Sequence, residues 1–173
     1  CNAVASILAN GEEDECKGVV DLVRNQAIVC DEEGVGASYD IVPIPEDMLE
    51  EVKEYRSILI EAVADYDENL LEKFMEDENS ITEEEINNAL RAAVMDMAII
   101  PMIAGSSFKN KGVQFMLDAV CKYLPSPMDK DGIQGIHPDD AELLEEDQTK
   151  ILRKPDVKEP FAALAFKIAT DPF

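Results

Sequence analysis

The stretch Ile99 to Leu124, IIPMIAGSSFKNKGVQFMLDAVCKYL, restricts the possible folds more than any other part of the chain. Ala98 to Ala104 is apolar at every position and reads as a strand covered on both faces. Pro101 has no N–H for a sheet ladder, which predicts a strand at or near a sheet edge. Gly105-Ser-Ser107 and a basic Lys109-Asn-Lys-Gly112 step then lead into a helix. Its apolar stripe is Val113, Met116, Leu117, Val120 and Leu124, and Pro125-Ser-Pro127 ends it. Such a junction aims the backbone N–H groups of Ser106 to Phe108 out of the turn, where they could donate to a carbonyl oxygen or an anion. The same residues also suit an ordinary strand-to-helix turn.

The preceding chain reads as a small sheet followed by acidic helices. Lys17 to Val23 and Gln26 to Cys30 are β-rich runs about an Arg24-Asn25 turn, a predicted hairpin. That pairing sets Cys16 opposite Cys30, both as small buried hydrophobes. Ala37 to Val42 is a candidate third strand, ended by Pro43 and Pro45. A long helix follows over Glu46 to Tyr66, with Met48, Val52, Tyr55, Leu59, Ala62, Val63 and Tyr66 as its apolar stripe. Glu50, Glu51, Glu54, Glu61 and Asp65 form its acidic outer face. Leu70, Leu71, Phe74 and Met75 predict a shorter helix. Thr82 and Glu85 form a T-x-x-E capping box before a third, with Ile86, Ala89, Leu90, Ala93, Val94 and Met97 on its stripe. Met128 to Lys158 reads as a polar acidic linker. Phe161 to Thr170 reads as a new strand without a partner, which is no domain by itself.

Charge narrows the function. The chain carries 38 Asp and Glu against 15 Lys and Arg, a formal net charge of −23. Such a field repels phosphate backbones and anionic lipid and attracts basic surfaces, more weakly as salt rises. Direct nucleic-acid binding is therefore not expected. No apolar window approaches the roughly 20 residues of a membrane span, and no signal-peptide pattern opens the chain. The four cysteines show no C-x-x-C spacing, so neither a zinc site nor a disulfide framework is encoded, and a reduced, cytoplasmic setting is expected.

The search for chemistry returns mostly exclusions. There is no G-x-x-x-x-G-K-[ST] loop to cradle a triphosphate. Asp31-Glu-Glu-Gly34 and Asp129-Lys-Asp-Gly132 fit D-x-x-G but also fit plain turns. Asn110-Lys111-Gly112-Val113 has Val where a guanine-reading N-K-x-D box needs a carboxylate to accept the ring N–H and amino donors. No catalytic or metal-ligating residue stands out among the many carboxylates.

Taken together, Gly105-Ser-Ser-Phe-Lys-Asn-Lys-Gly-Val-Gln114 resembles the fifth guanine-nucleotide motif of the elongation factor G family of bacterial translational GTPases, GSAFKNKGVQ. Gly18-Val-Val-Asp-Leu22, Tyr123-Leu-Pro-Ser-Pro127, Glu159-Pro-Phe161 and Leu164 to Phe173 match the same family in the same order. The resemblance implies an α/β chain that is one piece of a longer factor. Its fold would be a small mixed sheet with a β-hairpin, packed by three acidic amphipathic helices, plus the terminal strand and helix of a P-loop GTPase domain.

The implied divisions are a poorly matched lead-in at 1–15, a GTPase-domain insert at 16–97 and the closing strand and helix at 98–127. An acidic linker at 128–159 and the first strand of a β-barrel domain at 160–173 complete them. The implied function is GTP-dependent ribosomal translocation. GTP and magnesium would be used by the parent protein, with the P-loop and switches outside this chain and no cofactor bound to it alone. Ser106, Ser107 and Phe108 would lie against the guanine base, Ser107 replacing the family's Ala. Glu50, Glu51, Glu54, Glu61 and Asp65 would face the ribosome's L7/L12-type stalk protein. The competing expectations are a stand-alone acidic interaction module and a related release, recycling or ribosome-protection GTPase.

Overall fold

The computed structural model describes residues 2–11, 17–30, 38–163, 165 and 167–170. The chain divides into two units, Cys1–Leu124 and Pro125–Phe173. In the first unit, β1 (Asn2–Asn10), β2 (Gly18–Asp21), β3 (Gln26–Cys30), β4 (Tyr39–Val42) and β5 (Ile99–Ile103) form one sheet, ordered β4-β3-β2-β1-β5. The β1 to β4 neighbours pair antiparallel, and β5 joins parallel to β1.

The sequence pattern assigns no element to Asn2–Asn10, yet β1 lies between β2 and β5 with Val4, Ala5, Ser6 and Ile7 buried. Two causes hide it. Its alanines have low strand propensity. A register shift between Ala5 and Ile7 also interrupts the strand, and the four consecutive residues Val4 to Ile7 are all buried, so no in–out alternation marks it.

The β2–β3 hairpin forms where expected, Asp21 pairing with Gln26 across the Leu22 to Asn25 turn. The Asp21 carboxylate accepts the Val23 and Arg24 amides at 2.9 and 3.0 Å, and Asn25 takes a left-handed φ of 56°. Arg56 closes the turn from above: its Nη1 donates to the Leu22 carbonyl and, at 2.9 Å, to that of Val23. Cys30 is buried, and the expected opposition of Cys16 lies outside the described residues.

Strand β5 is an edge strand, as Pro101 requires. It is not covered on both faces: Ile99 is buried, but Ile100 and Met102 are about half exposed at 49% and 48%.

Helix α1 (Leu49–Ala64) follows a 3-10 turn at Glu46–Met48 and buries Val52, Leu59, Ile60, Val63 and Ala64. Tyr55, expected on the inner stripe, is exposed. The half-buried Arg56 takes the inward place one turn after Val52. Helix α2 (Glu68–Glu76) starts at Asp67, whose side chain accepts the Asn69 and Leu70 amides. Helix α3 (Glu83–Met95) buries Ile86, Ala89, Leu90 and Ala93. Met97 lies beyond it at a φ of 56°, 84% exposed, rather than on its stripe.

Helix α4 (Val113–Tyr123) differs most from the pattern. Phe115, Ala119 and Tyr123 are buried, whereas Met116, Leu117, Val120 and Leu124 are exposed. The helix is apolar around much of its circumference, and in this chain the less conspicuous face meets the core.

The main core joins β1, β2 and β3 to α1, α2, α3, β5 and α4. A smaller cluster of Ile7, Val19 and Ile28 packs with Phe115, whose ring meets Tyr39 edge-on at 5.0 Å.

The capping box of α3 is complete. Glu85 Oε2 accepts from the Thr82 backbone and hydroxyl, while Lys73 Nζ lies 2.5 Å from Oε1. The Lys73 and Thr82 hydrogen bonds hold the Glu85 carboxyl at about 2, below its ordinary 4.5. A depressed folded-state value means that its stabilisation is present above pH 4.5 and is lost as pH falls toward 2. Glu85→Gln is therefore expected to flatten the loss of stability across that window, read by urea midpoints measured at successive pH values.

The second unit holds an antiparallel pair, β6 (Ile133–Ile136) and β7 (Lys150–Arg153), inside the stretch expected to be linker. Asp140 Oδ2 accepts the Thr149 amide at 3.0 Å and helps close their connection. Of the run expected as a barrel strand, residues 161–163, 165 and 167–170 are described and form no strand. A lone strand leaves its ladder groups unpaired, which accounts for the difference.

Candidate functional site

The loop joining β5 to α4 is built by its own backbone. The Ala104 amide donates to Ile7 O at 3.1 Å, anchoring the strand end to β1. Ser106 and Lys111 then form a bridge, with the Ser106 amide on Lys111 O at 2.8 Å and the Lys111 amide on Ser106 O at 2.9 Å. Inside that bridge Asn110 N donates to Ser107 O at 3.2 Å, and Asn110 takes a φ of 53°.

Two glycines flank the turn because side chains do not fit there. A Cβ on Gly105 would lie 2.8 Å from Lys111 O, and Gly112, the N-cap of α4, has a φ of 85° with Val19 packed against it.

This geometry corrects one expectation. The Ser106 amide does not point outward; it closes the loop on Lys111. The Ser107 and Phe108 amides donate to no described residue, and both residues are exposed, Phe108 at 99%. Lys111 is buried beneath the loop. Chemically, the tip offers two adjacent backbone donors, a hydroxyl and an aromatic ring on a frame pinned at both ends, which suits a carbonyl oxygen on a planar ligand.

The acidic residues lie elsewhere on the unit. Glu50, Glu51, Glu54, Glu61 and Asp65 are all exposed along α1 and its C-cap, spanning about 22 Å at 1.5 Å rise per residue. Glu50, Glu51 and Glu54 line an open depression with Lys53, Ser57 and Glu78, whereas Glu61 and Asp65 lie outside it. The surface is an extended acidic stripe interrupted by one lysine. Among the described residues no group of His, Cys, Asp and Glu could hold a metal ion, and no helix is long and apolar enough to cross a membrane.

Sequence reasoning missed a polar cluster at the junction of the hairpin turn, α3 and α4. Glu83 Oε1 lies 3.0 Å from Arg24 Nε and 3.7 Å from Lys122 Nζ. Burial pushes the Glu83 carboxyl up, but the Arg24 hydrogen bond and the charges of Arg24 and Lys122 outweigh it and hold it below the ordinary range. Asn87 Oδ1 accepts the Tyr123 hydroxyl at 2.6 Å, and Arg91 Nη1 donates to Lys122 O at 2.6 Å.

Burial, followed by the negative charges of Asp21 and Glu83, raises the Tyr123 phenol above its usual range. Asp21 is itself raised, mainly by burial, with its Arg24 and Val23 hydrogen bonds and the Arg24 charge pulling the other way. A signal for this cluster was present: Glu83, Asn87 and Arg91 recur every four residues and so share one helix face.

Comparison with known proteins supplies the family. A scan of protein-family profiles finds no match. Elongation factor G of Amoebophilus asiaticus is 61% identical over 163 residues, 94% of this chain and 22% of that protein. The elongation factor G of Cytophaga hutchinsonii is 59% identical over 99% of this chain and 24% of its own length. That of Karelsulcia muelleri is 47% identical over 94% of this chain and 22% of its length. The chain thus spans less than a quarter of the length of these curated relatives. A crystal structure of a Thermus thermophilus protein superposes with a TM-score of 0.62 at 26% identity, covering 78% of this chain and 19% of that one. With such identity across nearly all its residues, the chain belongs to the elongation factor G family.

Proposed function

We propose that this chain is the part of a ribosomal translocation GTPase that contributes the edge of the guanine pocket and an acidic docking surface. The observation that carries the first role is the loop tip: Ser107 and Phe108 are exposed residues whose amides donate to no described residue, on a turn pinned by the Ser106–Lys111 bridge. Those two amides meet the guanine oxygen, and Ser106 acts by closing the turn. Since the contact is through backbone, serine at position 107 preserves it. No P-loop or complete N-K-x-D box is present in these residues, so the phosphates and magnesium of the GTP site are held by other parts of the intact factor, which works in the cytoplasm. In this reading 16–97 is the insert, 98–127 the closing strand and helix of the GTPase domain, and 160–173 belongs to the following barrel.

The stripe of Glu50, Glu51, Glu54, Glu61 and Asp65 docks the L7/L12-type stalk protein of the ribosome. Its support is the extended row of exposed carboxylates in a chain of net charge −23. A titration of this chain with the isolated C-terminal domain of a stalk protein is expected to show binding that weakens as salt rises, and no detectable GTP binding. Reversing Glu50, Glu54 and Glu61 together to lysine should weaken the stalk complex at least about tenfold at low salt. Tight GTP binding by the chain alone, or absence of stalk binding at low salt, overturns the reading.

A further inference from the structure

We infer that the Glu83, Asn87 and Arg91 row on α3 is a positioning clasp for the guanine loop, acting on it through α4. The inference rests on the guanine-loop reading above and names residues remote from that loop in sequence.

All three side chains engage the last turn of α4 or its immediate partner. Glu83 holds Lys122 and, through the same oxygen, Arg24 of the hairpin turn. Asn87 takes the Tyr123 hydroxyl at 2.6 Å and shares its amide with Glu83 at 3.4 Å. Arg91 takes the Lys122 carbonyl, one of the carbonyls at the helix C-terminus without an intrahelical partner, at 2.6 Å.

Anchorage elsewhere on α4 is limited. Met116, Leu117 and Val120 are exposed; Phe115, Ala119 and Tyr123 seat the helix along one face, and the clasp engages its end. Its N-cap is Gly112, the residue directly after the Ser106–Lys111 bridge. The helix transmits displacement of its C-terminal end along its axis, because its backbone hydrogen bonds make it the stiffest element available. Releasing the clasp therefore moves or loosens Gly105 to Gly112 while the hairpin keeps its own ladder.

The test uses Tyr123→Phe, which removes only a hydroxyl, and Arg91→Ala, singly and together. In the intact factor, the Kd for GDP is expected to rise about fivefold or more in the double variant. In this chain, amide exchange at Ser107, Phe108 and the first turn of α4 should accelerate while the β2–β3 ladder stays protected. An unchanged Kd overturns the clasp, as does uniform acceleration across the unit, which marks a merely structural role. Ser107→Pro, which deletes one proposed donor, separates the two readings. If it weakens GDP while the clasp variants do not, only the clasp fails. If it leaves GDP binding unchanged, the loop reading fails and the clasp with it.

Discussion

Leu90→Ala is expected to lower the unfolding free energy of the Cys1–Leu124 unit by about 2–5 kcal/mol. Leu90 is fully buried on α3, in the same core as Val4 of β1, Leu59 of α1, Ile99 of β5 and Ala119 of α4. Removing its branched end takes away apolar burial and leaves a cavity between elements that hold one another in place, so collapse recovers little. The expected signature in urea is a lower midpoint with an unchanged slope. Leu90→Met, which keeps the volume, should cost less than about 1.5 kcal/mol. A loss below about 1 kcal/mol for the alanine variant would mean that α3 is not seated in this core.

Gly18→Val is expected to cost about 3 kcal/mol or more and to disturb the hairpin specifically. Gly18 pairs with Asn10 on one side and Val29 on the other, and a Cβ there would lie 1.9 Å from the Ile28 carbonyl oxygen. That atom belongs to the sheet backbone, so no side-chain rotation relieves the clash; β2 and β3 must separate. Loss of amide protection should therefore begin in Gly18–Asp21 and Gln26–Cys30. Gly135→Ala is the control: a Cβ there meets nothing within 4 Å, and the change should stay within about 0.5 kcal/mol. Equal effects at the two glycines would contradict the register of the hairpin.

The close approach of Ile28 to Gly18 also explains one of the stretches on which the family resemblance rests. In Gly18-Val-Val-Asp-Leu22, the glycine admits the neighbouring strand, Val19 and Val20 enter opposite clusters, Asp21 caps the turn, and Leu22 is fully buried. Each residue type answers a separate packing demand.

Local patterns were legible in the chain. The Thr82–Glu85 capping box marked the start of α3, Arg24-Asn25 marked the hairpin turn, and Pro101 marked an edge strand. Each depends on interactions within a few residues or on a missing donor, so neighbours in sequence suffice to specify it. That a turn joins β5 to α4 at Gly105 was legible for the same reason, whereas the need for glycine at 105 and 112 emerged from the close approach of Lys111 and the left-handed φ of Gly112.

What depended on distant residues was not legible. Strand β1 looked unstructured because its alanines are stabilised only by strands on both sides, one of them β5, roughly a hundred residues away in sequence. Which face of α4 is buried could not be read from an apolar pattern that encircles the helix; Phe115, Ala119 and Tyr123 face inward because α3 and the sheet are there to receive them. The Ser106 amide looked available until the carbonyl of Lys111 folded back on it. Periodicity and turn chemistry determined most of the elements, and the resemblance of its ordered motifs pointed to the family. Burial, and with it the exposed Ser107–Phe108 tip and the α3 clasp behind it, was decided by which surfaces the tertiary fold brings together, because solvent exclusion is a property of the assembled layers and not of any one segment.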